Sequence, residues 1–478
     1  MSMGRDELAF AGIARQAELV RAGEVSSREL VELYLERIER IDPQLNSFRT
    51  VIAEGSLAEA DAADARRASG GDHPLLGVPI AVKDGVDVAG EITTHGTACF
   101  DEPESEDAHM VRRLRDAGAV ILGKTNLPEL AIPGFTETRA WGVTRNPWDT
   151  TRTPGGSSGG SASAVAAGLV AAASASDGAG SIRIPATNCG LFGLKPQRAR
   201  IPLTPDPYVV DEEHWHGMSV NGCVTHTVLD TALYLDATAG PLPGTPHAPP
   251  DPHRPYAAAA REHPGELRIA WSLKAPRLLA PPAKLADSNR RGLEDTVELL
   301  GSLGHRVEHA DPDYASVGNQ VTALYLAGAR QDARLTPNPE RLEARTHGFA
   351  RLGRPYSGRG VRVARRQTAK HAQRINRIFD DHDVLMTLVT RVPPVAVGRW
   401  DGQGALRTVL GMSAVYPYNA VWNYLGNPAA SVPAGFTDDG LPLSVQLVGR
   451  PNDEATLLSL AAQIEAERPW ADRRPPVS

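Results

Sequence analysis

The stretch from residue 155 to residue 185 (GGSSGGSASAVAAGLVAAASASDGAGSIRIP) constrains the fold more than any other part of the chain. It holds two serine clusters in glycine-rich backbone, at 155–160 and 177–183, separated by a run of Ala, Ser and Val with little bulk. Glycine permits positive φ and lets successive backbone N–H groups point at one spot. A hydroxyl beside such N–H groups is suited to acyl transfer, because the serine attacks while the amides hold the oxyanion.

Three other interpretations of this stretch fit less well. A flexible linker would be flanked by polar filler, whereas apolar small residues flank these clusters. A phosphate-binding loop of the Walker type needs Lys directly after its last Gly, and no Lys follows here. A dinucleotide-binding loop needs a strand that leads straight into the glycines, and the sequence predicts none before the first cluster.

Composition narrows the class of protein. The 478 residues are enough for one large α/β domain, and the net charge of −7 gives no electrostatic reason to expect nucleic acid. Three scattered cysteines predict neither disulfides nor a zinc site, so we expect no metal and no cofactor. The N-terminus lacks the apolar segment of a secretion signal, and no run of 18 apolar residues occurs. We therefore expect a cytoplasmic protein without a membrane span.

Lys83 stands out among the lysines because it ends a short apolar run, GVPIAVK. Burial disfavours the charged form of a lysine and lowers its pKa, and a neutral lysine is a base. Lys83 is therefore a candidate catalytic group. For its neighbour Asp84 we expect a surface or capping role, and for His95 an ordinary position in a polar loop.

Periodicity places these residues on secondary structure. Ser26 to Glu29 reads as a capping box that starts an amphipathic helix, which Asp42-Pro43 is expected to end. Residues 119–123 (AVILG) predict a buried strand. Residues 161–170 predict a helix of small residues, and 170–176 a strand that delivers the second serine cluster at its carboxyl end. Ligand crevices of α/β folds lie at such ends.

Two polar segments could be interpreted as functional sites, but a structural explanation fits each of them better. The cluster at 211–216 (DEEHWH) resembles metal ligands, but its members are adjacent and no partner cluster exists, so an acidic surface loop explains it better. Arginine is dense from 341 to 377. Nucleic-acid binding would explain that, but a helix with Val361, Ala364 and Ile375 inward and arginines outward is the better prediction.

Several long motifs together resemble the amidase signature family. They are SSRELVELYLERIERIDPQLNSF, GVPIAVKD, GGSSGGSASAVAAG, SDGAGSIRIPA and NPAASVPAGFTDDGLPLSVQLVG. The similarity runs from about residue 10 to about residue 465 and is weakest over 240–380. It implies a single α/β domain over 1–478, with a large central mixed β-sheet covered by helices on both faces. The signature core would span about 65–240 and a more variable part about 240–400.

The resemblance implies a Ser–cis-Ser–Lys triad. Ser181 takes the place of the nucleophile and Lys83 that of the base. Ser157 takes the bridging place, after a cis Gly156–Ser157 peptide bond.

Other positions take supporting places by the same resemblance. The N–H groups of Gly178, Ala179, Gly180 and Ser181 would form an oxyanion hole. Ser158, Asp177 and Arg183 match positions that brace this loop, and Ala131 matches a position that contacts the acyl part of the substrate. Ala179 departs from the commoner glycine, which predicts a changed loop shape without loss of the hole.

The expected activity is hydrolysis of the C–N bond in a small neutral amide, an anilide or linear amide, with carbamates as a further possibility. The motifs look nearest to aryl-acylamidases and 6-aminohexanoate cyclic dimer hydrolases. One alternative is the A subunit of glutamyl-tRNA amidotransferase, and another is a non-enzymatic protein that binds a nucleotide or anion in the glycine loops. We expect a monomer or homodimer, with substrate specificity set by residues 125–150, 200–222 and 315–420.

Overall fold

The structure is a computed structural model that describes residues 3–204, 208–209, 213–314, 316–356 and 358–478. One mixed sheet of 11 strands runs through it in the order β1-β3-β2-β6-β8-β7-β12-β13-β11-β9-β10, and β4 pairs with β5 apart from it. The strands are β1 (Phe48–Val51), β2 (Pro79–Lys83), β3 (Val120–Thr125), β4 (Glu137–Thr138), β5 (Gly142–Val143), β6 (Ala172–Asp177), β7 (Phe192–Lys195), β8 (Val220–Thr225), β9 (Arg268–Trp271), β10 (Arg306–His309), β11 (Val384–Leu388), β12 (Ala429–Phe436) and β13 (Pro442–Gly449).

Helices cover the sheet, which confirms the predicted fold class. They are α1 (Arg5–Ala9), α2 (Gly12–Ala22), α3 (Ser27–Leu45), α4 (Ala53–Ala68), α5 (His109–Asp116), α6 (Gly159–Ala166), α7 (Arg183–Cys189), α8 (Val228–Thr238), α9 (Tyr256–Ala259), α10 (Asp287–Ser302), α11 (Val317–Leu335), α12 (Ala344–Leu352), α13 (Arg359–Ile375), α14 (Ile378–Asp381), α15 (Ala405–Val415), α16 (Ala420–Leu425) and α17 (Glu454–Glu467). Short 3-10 turns occupy Glu129–Ala131, Trp215–Gly217, Pro339–Arg341 and Arg354–Tyr356. Within the described ranges, no helix is both long and apolar enough to cross a bilayer.

The centre of the sheet brings the two predicted strands together. β2 and β6 are parallel neighbours, with Ile80 opposite Ala172 and Ala81 opposite Ala173. Parallel strands end at the same edge of a sheet. This register therefore carries Lys83, at the end of β2, to the same edge as Asp177, at the end of β6.

The first serine cluster leads into α6, where every residue is buried. The small side chains of this helix let it approach the neighbouring backbone closely. A Cβ on Gly160 would lie 2.5 Å from both the Asn126 nitrogen and the Ser47 oxygen, so only glycine fits there. The lack of bulk that marks this run in the sequence is thus a packing requirement.

The capping box at the start of α3 is confirmed, because the Ser26 hydroxyl accepts from Glu29 N–H and the Glu29 carboxylate accepts from Ser26 N–H. The predicted stop at Asp42-Pro43 is wrong, since α3 continues to Leu45 with Pro43 inside its last turn. The Asp42 carboxylate instead accepts from the N–H groups of Ser47 and Phe48, which turns the chain just after the helix.

The arginine-rich segment contains α12 and α13, as the packed-helix interpretation predicted. Ala364, Ile375 and Phe379 are buried, whereas Arg359, Arg362, Arg365, Arg366, Arg374 and Arg377 are exposed. α13 packs beside α11, and Gln320 of α11 donates to Gln367 of α13 at 2.6 Å. The arginines therefore form the outer face of a helix that supports α11.

Candidate active site

Lys83 lies inside the protein with its amine among serine hydroxyls. It is 1% exposed, and its backbone N–H donates to Ser174 Oγ at 2.8 Å. Its Nζ lies 2.8 Å from Ser157 Oγ, 3.0 Å from Ser158 Oγ and 2.9 Å from Ser176 Oγ. The amine thus meets both serines of the first cluster and a third serine at the end of β6.

Burial lowers the pKa of Lys83 to about 7, although the Asp177 carboxylate opposes this shift. A substantial fraction of the side chain is therefore neutral near pH 7. A neutral amine has two N–H donors and one lone pair. Ser158 Oγ donates to the Ser176 carbonyl at 3.3 Å, so towards Lys83 it can only accept. The lone pair of Lys83 is then available to the hydroxyl of Ser157 or of Ser176.

The Gly156–Ser157 peptide bond is cis, as the resemblance implied. Beside it, the Ser158 N–H donates to the Ser181 carbonyl at 3.3 Å, which ties the two serine clusters together through their backbones. The Ser181 side chain is 8% exposed and lines a cavity. Its hydroxyl makes no hydrogen bond to the residues that the structure describes. The structure therefore contains the contact of Lys83 with Ser157. Ser181 instead lines the cavity, and its hydroxyl is not hydrogen-bonded to Ser157.

Asp177 and Arg183 form a buried ion pair that supports the second serine cluster. Both are fully buried, with Arg183 Nη2 2.9 Å from Asp177 Oδ1 and Nε 3.0 Å from Oδ2. The guanidinium also donates to the side chains of Gln446 and Asn423, both at 2.6 Å. Burial alone would raise the pKa of Asp177, but the Arg183 charge outweighs it and holds this pKa below its usual range. The carboxylate is therefore ionised and fixed.

One residue of the predicted oxyanion hole has another role. The Gly180 N–H donates to Asp177 Oδ1 at 2.6 Å, so it is not free to bind an oxyanion. Gly180 instead serves the loop by its shape, with a φ of +120° and no room for a side chain beside Asn419. The N–H groups of Gly178, Ala179 and Ser181 make no hydrogen bond to the described residues and remain the candidate donors.

Ala131 lies in the short 3-10 turn opposite this loop. Leu130 and Ala131 have positive φ, at +51° and +54°. Glu129 anchors the turn, because its carboxylate accepts from the Glu343 N–H and the Thr346 hydroxyl at the start of α12. Burial raises the pKa of Glu129 to about 7.

Two cavities of opposite character adjoin residues of the serine–lysine cluster. The apolar cavity adjoins Ser181. Among the described residues that line it none is charged; they are Ile132, Gly134, Ala179, Ser181, Ile184, Leu278, Leu279, Val321, Thr322, Tyr325, Val409, Met412, Ser413, Tyr416 and Ala420. Its walls come largely from segments 125–150 and 315–420, as expected, while Leu278 and Leu279 lie outside all the predicted ranges.

The polar cavity adjoins Lys83. Polar and titratable side chains line much of it, among them Lys83, His95, Ser176, Tyr208, His214, Ser219, Asn221 and Asp332. Ala131 faces this cavity and its neighbour Ile132 faces the apolar one. The turn that holds both residues therefore divides the two spaces.

Two expectations about polar residues, those for Asp84 and His95, need correction. Asp84 is completely buried and pairs with Lys124 Nζ at 3.0 Å, because the apolar run of β2 continues into the interior. His95 is 5% exposed, and burial lowers its pKa to about 3. In the cluster at 211–216, Asp211 and Glu212 lie outside the described residues. The described parts of the chain contain no group of three or more His, Cys, Asp or Glu side chains suited to a metal.

The sequence interpretation missed two polar contributors. Ser176 contacts Lys83, and its place one residue before Asp177 on a strand was the available signal. Asn423 donates to the backbone and the carboxylate of Asp177 at 2.7 and 2.8 Å. It lies 246 residues away in the chain. No local pattern in the sequence could have linked it to the loop.

Comparison with known proteins shows the family of the chain. The Amidase family model matches residues 29–458. "Putative amidase AmiB2" of Mycobacterium tuberculosis is 50% identical over 477 residues, covering 100% of both chains. The 6-aminohexanoate-cyclic-dimer hydrolase of Paenarthrobacter ureafaciens is 35% identical, covering 96% of this chain and 95% of its own. A structure of 6-aminohexanoate cyclic dimer hydrolase with substrate superposes with a TM-score of 0.86 at 31% identity, covering 98% and 99% of the two chains. The chain is therefore an amide hydrolase that belongs to the amidase signature family.

Proposed function

We propose that the protein hydrolyses the C–N bond of small neutral amides through an acyl-enzyme on Ser181. The observation that carries this proposal is the buried Lys83 amine, 2.8 Å from Ser157 Oγ, beside a loop with free backbone N–H groups. Membership of a hydrolase family removes the non-enzymatic anion-binding alternative. We place the glutamyl-tRNA amidotransferase subunit second, because a relative that matches the whole chain is named a putative amidase and one that matches 96% of it a hydrolase.

In the proposed acylation, Ser181 Oγ attacks the amide carbonyl and loses its proton to Ser157 Oγ, which passes its own proton to neutral Lys83. The oxyanion is held by the N–H groups of Gly178, Ala179 and Ser181. The protonated Lys83 then returns a proton through Ser157 to the leaving nitrogen, and the C–N bond breaks. Water attacks the ester by the reverse path and releases the acid, which restores Ser181 and neutral Lys83.

The apolar cavity supports a proposal about the substrate class. The apolar cavity adjoins Ser181 and carries no charge among its described residues, so it suits an aryl or aliphatic group. A charged group there would lose its hydration without gaining a partner. We therefore propose anilides and linear aliphatic amides as substrates, with carbamates of the same shape as secondary ones.

A panel of anilides, primary amides, esters and carbamates tests this function. Wild type is compared with Ser181→Ala, Lys83→Ala and Ser444→Ala. Ser444 is a buried serine of β13 whose hydroxyl has no hydrogen-bond partner among the described residues. We expect amide hydrolysis in wild type and Ser444→Ala, and its loss in the other two. A fluorophosphonate should label Ser181 in wild type. Amide hydrolysis that survives Ser181→Ala would refute the proposal.

A further inference from the structure

Trp215 lies directly behind the proposed oxyanion loop, in an unusual backbone conformation. The residue is 3% exposed, and both Trp215 and His216 have positive φ, at +49° and +57°. Bulky residues rarely adopt positive φ, so such a conformation is held by contacts elsewhere. The contacts of Trp215 are therefore informative.

The indole lies against two glycines from different elements. A Cβ on Gly178 of the loop would lie 3.0 Å from Cε3 of the six-membered ring. A Cβ on Gly328 of α11 would lie 2.6 Å from Cγ of the five-membered ring. A methyl group at Gly328 would therefore displace the ring. Because the same ring packs closely against Gly178, a displaced indole would disturb the Gly178 backbone.

A buried carboxylate fixes the indole in its plane. Trp215 Nε1 donates to Asp332 Oδ2 at 2.6 Å, and Asp332 is 1% exposed. His214 Nε2 lies 3.1 and 3.0 Å from the two oxygens of the same carboxylate. Asp332, Gly328 and the cavity residue Tyr325 all belong to α11.

Tyr325 extends this contact to the substrate cavity. Its ring meets Trp215 edge to face, with centroids 5.1 Å apart, and its hydroxyl donates to the Ile132 carbonyl at 2.7 Å. Tyr325 and Ile132 both line the apolar cavity. Trp215 therefore contacts the oxyanion loop on one side and the wall of the substrate cavity on the other.

We infer that Trp215, anchored by Asp332, is a positioning residue that aims the Gly178 N–H at the oxyanion of the transition state. This inference rests on the proposed function. Backbone donors accelerate a reaction only when they meet the oxyanion at hydrogen-bond distance, so a small shift of Gly178 lowers the rate more than it weakens substrate binding.

Three variants test the inference on an anilide substrate. Trp215→Phe removes the N–H, Asp332→Asn removes the charge, and Gly328→Ala pushes the indole. Gly301→Ala is the matched control for Gly328→Ala, because a Cβ at this helical glycine of α10 meets nothing within 4 Å. Inhibition is measured with an aryl trifluoromethyl ketone, which forms a tetrahedral oxyanion on serine, and with its methylene analogue, which cannot.

We expect Trp215→Phe and Gly328→Ala to lower kcat by roughly 10- to 100-fold with little change in KM. Affinity for the ketone should fall by the same factor, while affinity for the methylene analogue and all parameters of Gly301→Ala stay unchanged. If Gly328→Ala fails to fold, the test rests on Trp215→Phe and on Asp332→Asn, for which the same loss of kcat and of ketone affinity is expected. Full kcat in the folded variants, or equal loss of affinity for both inhibitors, would overturn the inference. A wild type without Ser181-dependent hydrolysis would instead refute the proposed function.

Discussion

Protonation of Lys83 is expected to switch off hydrolysis as the pH falls through 7. Burial lowers the pKa of this lysine from 10.5 to about 7, against the opposing charge of Asp177. The proposed reaction needs the neutral amine, because only its lone pair can accept the proton that Ser157 relays. Activity should therefore rise with pH on the acid side and level off above the pKa.

The size of this effect follows from the fraction of neutral amine. With a pKa of about 7, roughly one-tenth of Lys83 is neutral at pH 6 and roughly nine-tenths at pH 8. The value of kcat/KM should therefore rise about tenfold between these two pH values and change little from pH 8 to pH 9. A lysine with its ordinary pKa of 10.5 would instead give a rate that still climbs at pH 9.

The assay is the pH profile of kcat/KM for a neutral anilide, whose own charge does not change in this range. Three other groups that burial shifts have a pKa of about 7, Lys195, Glu129 and Glu465, and could produce the same rise of activity with pH. Lys195→Met, Glu129→Gln and Glu465→Gln are therefore the controls, and the rise should persist in all three. A flat profile from pH 6 to pH 9, or a rise that vanishes in any of the controls, would refute the assignment to Lys83.

Three further predictions concern stability, measured as the free energy of unfolding in urea. Between pH 7 and 10.5, Lys83 is protonated in the unfolded chain but largely neutral in the folded one, so the free energy of unfolding of the wild type should rise with pH. Relative to Lys83→Met, it should rise by about 2–3 kcal/mol from pH 7.5 to pH 9.5. A difference between the two proteins that does not change with pH would contradict the low pKa. Arg183→Met should cost about 3–5 kcal/mol by leaving Asp177 buried without its partner, and a loss below 1 kcal/mol would speak against that pairing. Gly160→Ala should cost about 1–3 kcal/mol because its methyl would meet backbone atoms at 2.5 Å, and a neutral effect would contradict that close approach.

The main strands and the first long helix could be predicted from local patterns. The strand predicted at 119–123 is β3 (Val120–Thr125), and the helix predicted at 161–170 is α6 (Gly159–Ala166). Such patterns are predictive because the burial of helix and strand faces determines how apolar residues are spaced along the sequence. The predicted end of α3 was wrong, because the helix tolerates Pro43 in its last turn. In the turn that follows, the Asp42 carboxylate accepts a hydrogen bond from the Ser47 N–H.

Within the site, the serine clusters and the lysine at the end of a strand were visible in the sequence, and so was their chemistry. Their residue types are unusual for their surroundings: a cation after an apolar run, and hydroxyls among glycines. A residue type that is unusual for its neighbours can be recognised in the sequence without knowledge of the fold. It does not reveal which backbone N–H groups are free, and the prediction for Gly180 was wrong for that reason.

From the sequence by itself, the fold class, the family and the residues of the proposed triad followed through the resemblance of its motifs, because motifs are local stretches of the chain. Only the tertiary structure decided that Asn423 and Gln446 hold Arg183, that Trp215 contacts both Gly178 and Gly328, and that an apolar cavity adjoins Ser181 while a polar one adjoins Lys83. These contacts join residues tens to hundreds of positions apart. Their geometry depends on how the sheet and helices pack, and no short stretch of the chain encodes it.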